Sequence, residues 1–341
     1  MIAFAIASFV TSIVLTGLAR RYALRHAVLD VPNERSSHTV ATPRGGGIAI
    51  LAAVLGSCAI AVLYHAVSVK DAVTLGAGAL TLGAVGWVDD HRGLPARVRL
   101  AAHFAVAIGT LVSFKGLPVL HVGTSVIPLG LLGWVLGTLG IVWSINLFNF
   151  MDGIDGLAAS QTMMILGVAA ALLLRRSETS LAIIALIVAA SCAGFLAWNW
   201  PPAKIFMGDV ASGALGYLVA GLAVASENRD AVPLLIYVIL GAVFLGDATV
   251  TLLRRIGSGH RAAEAHREHV YQRLSRLWNS HRAVTLAAGG LTAFFALLAA
   301  ISSRVPAWMV GCVMLTYVVV GVVIVGAERI APMKARMQDY R

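Results

Sequence analysis

Between two long apolar runs lies the stretch Asn146-Leu-Phe-Asn-Phe-Met-Asp-Gly-Ile-Asp-Gly156. It holds two asparagines, two aspartates and two glycines, whereas the flanking runs 127–148 and 158–174 are apolar enough to cross a bilayer. Carboxylates are costly at membrane depth, and those that occur there usually serve a function. The stretch therefore predicts a membrane helix that ends at a functional site.

The composition of the whole chain supports this class. Of its 341 residues, 59% are hydrophobic and only 12% are charged, compared with roughly 25% charged residues in soluble domains. We therefore expect an all-α, polytopic integral membrane protein forming a single domain over residues 1–341. The net charge of +10 is typical of basic cytosolic loops in membrane proteins, so we expect no nucleic-acid partner. The three cysteines lie far apart in apolar runs and predict neither a disulfide framework nor a zinc site.

The apolar runs give the number of spans and their direction. A spanning helix needs about 20 apolar residues, and about eleven runs approach that length, with ten as the alternative count. With the N-terminus outside, 20 of the 26 lysines and arginines lie in cytosolic segments, which is the asymmetry expected of membrane proteins. The predicted spans are 2–19, 47–65, 72–88, 100–114, 127–148, 158–174, 181–198, 210–226, 232–253, 283–302 and 306–327.

Nearly all the unusual polar residues then fall in segments on the cytosolic face. The first such segment contains Pro43-Arg44-Gly-Gly-Gly47. Its glycines would let backbone N–H groups approach an anion closely, or they would simply make a flexible entry to the second span. The residue types alone leave both readings open.

The second segment begins with Asp89 and Asp90 at the end of the third span. Adjacent carboxylates can bind Mg²⁺, or one can act as a base. The alternative is a solvated helix end, but acids are disfavoured at helix C-termini by the macrodipole, which favours a function. Arg97 and Arg99 follow, and they could balance the carboxylates or hold phosphate oxygens.

The third segment is the opening stretch itself. Asn149, Asp152 and Asp155 recur at a spacing of three and would share one helix face, but Gly153 and Gly156 favour a broken segment. An ordinary Asn/Asp/Gly turn is the alternative. The segment contains no lysine or arginine, which indicates that its acids serve a cation or a neutral part of a substrate.

The fourth and fifth segments add one acid and two histidines. Asp209 precedes a span, where it would be either a helix cap or a metal ligand. His266 and His269 at i, i+3 could bind a metal, lie on a basic amphipathic surface segment, or line a lid over a nucleotide diphosphate. Asp247 is the one acid well inside a span, and a transporter would be expected to show more such acids.

These motifs, in this order, resemble those of the polyprenyl-phosphate N-acetylhexosamine-1-phosphate transferases, a superfamily that includes the phospho-MurNAc-pentapeptide transferases. The fifth segment reads His266-x-x-His269-x-Tyr271-Gln272. It looks more like the branch that initiates O-antigen or capsule glycans than the three-histidine run of the pentapeptide transferases. The elements that carry the resemblance are Pro43–Gly47, Asp89-Asp90, Asn146–Gly156, Phe206–Asp209 and the histidine segment.

The resemblance implies roles for individual residues. Asp209 and Asn149 would ligate Mg²⁺, with Mn²⁺ as a substitute, and Asp89 and Asp90 would lie at the catalytic position where the lipid phosphate is activated. The substrate-binding positions that it implies are Arg44, Arg97, Asn146, Asp152, Asp155, Asn199, His266 and His269.

The resemblance also implies a reaction and a location. A UDP-N-acetylamino sugar would donate its sugar 1-phosphate to undecaprenyl phosphate and release UMP, at the cytosolic face of the bacterial cytoplasmic (inner) membrane. This is the first membrane step of lipid-linked glycan synthesis, and a homodimer is expected from the superfamily. The alternatives are a pentapeptide transferase of peptidoglycan synthesis and, from a different class, a secondary transporter. A transporter predicts inverted repeats, and the sequence shows no clear repeat.

Overall fold

A computed structural model of the chain describes residues 1–31, 40–259 and 266–333. Over these ranges the chain forms thirteen α-helices, one 3₁₀ turn at Pro306–Trp308 and four short strands. The helices are α1 Ile2–Arg25, α2 Gly47–Leu63, α3 Val69–Arg92, α4 Ala96–Phe114, α5 Leu131–Phe150, α6 Leu157–Arg175, α7 Thr179–Asn199, α8 Asp209–Glu227, α9 Leu234–Leu240, α10 Ala242–Gly257, α11 Val270–Leu277, α12 His281–Arg304 and α13 Met309–Ile330. The strands are β1 Leu29–Asp30, β2 Thr42–Pro43, β3 Val119–Val122 and β4 Ser125–Pro128, paired antiparallel as β1–β2 and β3–β4.

The helices confirm an all-α polytopic membrane protein. In the described ranges, nine helices are long and apolar enough to span a bilayer, or ten if one bent pair counts as a span. The apolar helix α2, with 17 residues, is shorter. The orientation, with the N-terminus outside, stays a prediction.

The ninth predicted span, 232–253, is the one that differs. We expected one spanning helix, but α9 and α10 meet at Gly241 with a bend of 76°. Sharp bends in helices usually occur at proline, glycine or a local defect, and hydropathy averaged over a window does not register a single glycine. The prediction of one continuous helix was therefore wrong at this position.

Helix α8 lies inside the bundle and fixes the relative positions of its neighbours. It packs against α3 on one side and α5 on the other. Glycines bring the backbones together: a Cβ at Gly216 in α8 would lie 2.3 Å from the carbonyl oxygen of Ser144 in α5. Likewise, a Cβ at Gly78 in α3 would lie 2.2 Å from the Tyr217 ring of α8. Because α8 begins at Asp209, this packing also sets where that carboxylate lies.

The polar segments gather at one end of the bundle. Helices α3, α5 and α7 end there, and α4, α6 and α8 begin there, so that the predicted functional residues are brought together from separate connections. The opposite end carries the β3–β4 hairpin, whose His121 N–H donates to Glu227 at the end of α8 (2.6 Å). Almost all the chemistry-bearing residues thus lie at the end away from the hairpin.

Candidate active site

The paired aspartates at the end of α3 lie against the start of α8. The Asp90 Oδ2 atom accepts the backbone N–H of Asp209 at 3.1 Å, across a separation of 119 residues. Glycine is needed for this approach, because a Cβ at Gly86 would lie 2.2 Å from the Asp209 carbonyl oxygen. Gly208 has φ of +78° and a Cβ there would lie 2.8 Å from Asp90 Oδ2. The second and fourth polar segments therefore form one site.

Asp209 occupies the first position of α8, and the N-cap residue is Gly208. The Asp209 Oδ1 atom accepts a hydrogen bond from Asn149 Nδ2 at 2.7 Å, and Asn149 also donates to Ser212 Oγ at 3.1 Å. The carboxyl groups of Asp209 and Asp89 lie close enough to share a hydrogen bond. Asp209 is thus not merely a cap, since its side chain faces the other carboxylates.

Arg99, rather than Arg97, is the arginine that enters the site. Arg99 Nη1 pairs with Asp89 Oδ2 at 2.5 Å, and Asp89 Oδ1 accepts the Leu94 N–H at 2.6 Å. Arg97 is exposed, and in the described part of the chain its side chain has no hydrogen bond or ion pair. Helix α4 thus turns Arg97 away from the paired aspartates, whereas we expected it to line the pocket. Arg44 donates to the Asp90 carbonyl oxygen at 2.5 Å, and its contact with substrate stays a prediction.

A small cavity of about 60 Å³ lies among these side chains. Asn146 lines it and donates both to the Val142 carbonyl (2.7 Å) and towards His103 Nδ1 (3.2 Å). The cavity is far below the roughly 300–1,000 Å³ of pockets that enclose a whole ligand, so only reacting groups fit inside it. Sequence reasoning missed His103, although its i, i+4 relation to Arg99 on α4 was a usable signal. The polar residues of its lining are Asp89, Arg99, His103, Asn146, Asn149 and Asp209.

The triple glycine has a structural use that neither sequence reading gave. The N–H groups of Gly46 and Gly47 donate to the carbonyls of Phe206 and Met207, each at 2.9 Å. These two N–H groups are therefore committed to the protein backbone, and the segment is not simply flexible. A Cβ at Gly47 would lie 2.6 Å from the Ala211 Cβ, so the glycines let this segment pack against the turn that precedes Asp209.

Asp155 and Asn199 join neighbouring loops. Asp155 Oδ2 accepts the Ala203 N–H at 3.0 Å, and its Oδ1 lies 3.2 Å from His281 Nδ1 at the start of α12. Asn199 is only 4% exposed, and its Oδ1 accepts the Gly156 N–H at 2.9 Å. In this arrangement both side chains hold the loops around the site. Their contact with substrate stays a prediction.

Asp152 lies in the connection between α5 and α6. Burial and the nearby carboxylates of Asp209, Asp90 and Asp155 raise the pKa of Asp152 well above its ordinary value. Several carboxyl groups thus lie close together, and a bound cation would favour their ionised forms.

The histidine segment is attached to the site through Asp247 of α10. Asp247 is 6% exposed and accepts the N–H groups of Val270 (2.8 Å) and Tyr271 (2.9 Å), the first two residues of α11. His269 Nδ1 lies 3.3 Å from the same carboxylate, and the Tyr271 hydroxyl donates to the Phe150 carbonyl at 2.8 Å. The acid that looked isolated within a span is therefore the cap of α11.

The two predicted histidines lie together beside the end of α5. The His266 and His269 rings are 4.8 Å apart, and the His269 ring stacks at 6.1 Å from Phe150, which lines the cavity. His269 is buried and His266 is half-buried. The structure brings both close to the site, and their contact with a diphosphate stays a prediction.

The donor set fits a magnesium ion held jointly with a substrate. Within the described residues, no three Asp, Glu, His or Cys side chains are grouped closely enough to hold a metal by themselves. Mg²⁺ usually keeps several waters and binds through one or two carboxylates together with substrate phosphates. The contact between the carboxyl groups of Asp89 and Asp209 matches this mode, and the all-oxygen chemistry suits a hard cation.

An apolar groove of about 270 Å³ runs along α5. It is lined by Leu117 and Leu129 near the hairpin and by Leu147 and Phe148 near the site. Asn146 and Asn149 lie beside these last two residues in the sequence of the same helix. The groove and the small cavity have no lining residue in common, so they lie against different faces of α5.

Comparisons with known proteins agree with this geometry. Residues 72–227 match the model of glycosyl transferase family 4. A probable undecaprenyl-phosphate N-acetylglucosaminyl 1-phosphate transferase of Bacillus subtilis is 30% identical over 311 residues, covering 89% of this chain and 85% of the relative. A decaprenyl-phosphate N-acetylglucosaminephosphotransferase of Mycobacterium tuberculosis is 32% identical over 309 residues, covering 80% and 74%. A phospho-N-acetylmuramoyl-pentapeptide-transferase of Corynebacterium urealyticum is 33% identical over 256 residues, covering 60% and 68%.

Proposed function

This chain belongs to glycosyl transferase family 4, and we propose that it transfers an N-acetylhexosamine 1-phosphate from a UDP-sugar to a polyprenyl phosphate. The products would be UMP and a polyprenyl-diphosphate-sugar. One observation carries the proposal: Asp89, Asp90 and Asp209 converge at one end of a bundle of membrane-spanning helices. A carboxylate site at the end of membrane helices suits a reaction between a phosphorylated lipid and a polar donor.

We assign a separate role in the reaction to each part of the site. The polyprenyl chain would lie among the membrane-spanning helices, and its phosphate would enter the small cavity next to Arg99. A phosphate oxygen attacks the phosphorus that bears the sugar, and the bond from that phosphorus to the oxygen of UMP breaks. Asp89 or Asp90 accepts the last proton of the lipid phosphate where one remains. Arg99 is already oriented by Asp89 (2.5 Å), so it can pair with phosphate oxygens without being reorganised.

We also propose that the site binds a divalent cation. When bound by Asp209 and Asn149, Mg²⁺, with Mn²⁺ as a substitute, would neutralise the diphosphate and the leaving UMP. Asn149 fixes the Asp209 carboxylate through its 2.7 Å hydrogen bond. The support for this part is the concentration of acids around Asp152 and the all-oxygen donor set.

For the donor we propose UDP-N-acetylglucosamine first, followed by related UDP-N-acetylamino sugars. The relatives from Bacillus subtilis and Mycobacterium tuberculosis, whose names contain N-acetylglucosamine, match 89% and 80% of this chain, whereas the pentapeptide transferase of Corynebacterium urealyticum matches 60%. The segment His269-x-Tyr271-Gln272 favours initiation of an O-antigen or capsule glycan in a bacterial inner membrane. A second candidate, transfer of phospho-MurNAc-pentapeptide, is favoured by the relatives that carry that name.

The test is release of UMP by the purified protein in detergent or nanodiscs. We expect release from UDP-N-acetylglucosamine only when both polyprenyl phosphate and Mg²⁺ are present. Asp209→Asn should lower kcat by about 10²- to 10³-fold, as expected for loss of a group that stabilises developing charge. Asp230→Asn is the matched control, because that carboxylate is 82% exposed at the opposite end of the bundle.

Other donors and outcomes separate the alternatives. UMP release from UDP-MurNAc-pentapeptide, but not from UDP-N-acetylglucosamine, would establish the second candidate. Uptake of a substrate into vesicles without any UMP release would favour a transporter. Full activity of Asp209→Asn with Mg²⁺ would refute the metal role of that residue.

A further inference from the structure

A second cavity, of about 300 Å³, lies at the end of the bundle opposite the carboxylates. Its lining includes Arg175 and Arg304, the last residues of α6 and α12. Helix α6 begins at Leu157, next to the site, and α12 begins at His281, which pairs with Asp155. The cavity is therefore separated from the proposed reaction by the full length of two membrane helices.

Three arginines surround this cavity. Arg175, Arg176 and Arg304 are all exposed, and none makes a side-chain hydrogen bond or ion pair with any residue that the structure describes. The acid nearest to them in sequence, Glu178, is directed away and pairs with Arg229 at 3.2 Å. The three arginines thus form no ion pair with a carboxylate of the described part of the protein.

The other acids at this end are also engaged elsewhere. Asp71 pairs with Arg229, and its second oxygen accepts a hydrogen bond from Ser180 at 2.7 Å. Glu227 pairs with His121 at 2.8 Å, and Asp230, which precedes the lining residue Ala231, lies 3.3 Å from the same histidine. Among the described residues, six lysines and arginines lie at this end of the bundle, and three of them line this one cavity. The six are Lys70, Lys115, Arg175, Arg176, Arg229 and Arg304.

Helix ends alone do not explain this grouping. An arginine at a helix C-terminus is favoured by the macrodipole, typically by about 0.3–1 kcal/mol, and this accounts for Arg175 and Arg304 one at a time. It does not account for convergence of three like charges on one concave surface, where they repel each other. A bound anion would remove the repulsion, and the planar guanidinium fork is the side chain best matched to phosphate oxygens.

The place of the cavity indicates the kind of anion. The arginines lie at the end of membrane-spanning helices, where a bilayer has its polar headgroups. A phospholipid is therefore the phosphate that the membrane itself supplies at this depth. We propose that this cavity binds the phosphate of an anionic phospholipid in the leaflet opposite the active site.

The proposal is tested by native mass spectrometry of the delipidated full-length protein with added lipids. Phosphatidylglycerol and cardiolipin are the anionic lipids, phosphatidylcholine is the zwitterionic control, and inorganic phosphate tests a free anion. The variants are Arg176→Gln and the triple change of Arg175, Arg176 and Arg304 to glutamine. Lys115→Gln is the matched single-charge control, because Lys115 is exposed at the same end and has no side-chain partner among the described residues.

We expect anionic lipid to bind the wild type more tightly than phosphatidylcholine and to raise its unfolding temperature. Arg176→Gln should weaken binding on the order of tenfold, as expected for one charge-assisted hydrogen bond, and the triple variant should weaken it further. Lys115→Gln should bind like the wild type. UMP release measured in detergent should be the same in all variants, which shows that each one folds.

Three results would overturn the proposal. The first is equal binding of phosphatidylglycerol by the wild type and the triple variant. The second is an equal loss in Lys115→Gln, because the effect would then reflect net charge alone. The third is arginine-dependent binding of inorganic phosphate without any arginine-dependent lipid binding, which would assign the cavity to a free anion.

Discussion

The substitution Asp247→Asn tests whether Asp247 holds the histidine segment in place or takes part in the reaction itself. Asp247 Oδ1 accepts from Val270 N (2.8 Å), Thr251 Oγ1 (3.0 Å) and His269 Nδ1 (3.3 Å). Its Oδ2 accepts from Tyr271 N at 2.9 Å. Asparagine has nearly the same shape but keeps only one acceptor oxygen. With that oxygen at the Oδ1 position, the new amide NH₂ would face the Tyr271 N–H, and two donors would oppose each other.

The size of the effect follows from that single unpaired donor. A buried N–H left without an acceptor costs about 1–3 kcal/mol, so we expect the ordered state of α11 to lose about 2 kcal/mol. Because 1.36 kcal/mol corresponds to a factor of ten, kcat should fall by at most about thirtyfold if the reaction requires α11 in place. The KM for polyprenyl phosphate should change little, because no residue of α11 lines the small cavity next to Arg99.

Two measurements on the same preparation check this prediction. UMP-release kinetics give kcat and KM, and hydrogen exchange gives the protection of amides in 266–277. We expect lower kcat together with faster exchange in that segment, and an unchanged result for the exposed control Asp230→Asn. Unchanged exchange with lowered kcat would mean that Asp247 acts in the chemistry itself. Unchanged values of both would refute the capping role.

Three other substitutions test particular contacts. Arg99→Gln should raise the KM for polyprenyl phosphate by about tenfold or more. Arg97→Gln, on the exposed side of α4, should leave that KM unchanged. Equal effects of the two substitutions would contradict the assignment of Arg99. Gly47→Ala should lower the unfolding free energy by about 1–3 kcal/mol through overpacking, measured against Gly56→Ala in the same helix, where a Cβ meets open space. Tyr271→Phe should lower the stability of the histidine segment by about 1 kcal/mol, which would be measured as faster amide exchange there. Unchanged exchange would show that the hydroxyl does not hold the segment.

The membrane class and the positions of the helices could be predicted because each apolar run is long and is bounded by polar residues. The bend at Gly241 could not, since one glycine hardly alters the mean hydropathy of its window. The choice between Arg97 and Arg99 depended on the phase of α4: at 3.6 residues per turn, two positions apart differ by about 200° around the axis.

Other features depended on partners that are distant in the chain. The use of Gly46 is set by Phe206, 160 residues later, and a local pattern carries no trace of that contact. The role of Asp247 was likewise hidden, because its partners are backbone N–H groups of α11, which any sequence there would supply. What the sequence did provide was the set of acids. Asp89, Asp90 and Asp209 were identified by residue type and position, and the structure brings them together.

The most direct measurement follows the β-phosphorus of the donor. UDP-N-acetylglucosamine labelled with ³²P at the β-position is incubated with the purified protein, Mg²⁺ and polyprenyl phosphate, and the lipid is then extracted. We expect the label to appear in the lipid as polyprenyl-diphosphate-sugar, with unlabelled UMP left in the aqueous phase. Label remaining in the aqueous phase as UDP, with sugar alone on the lipid, would contradict sugar 1-phosphate transfer.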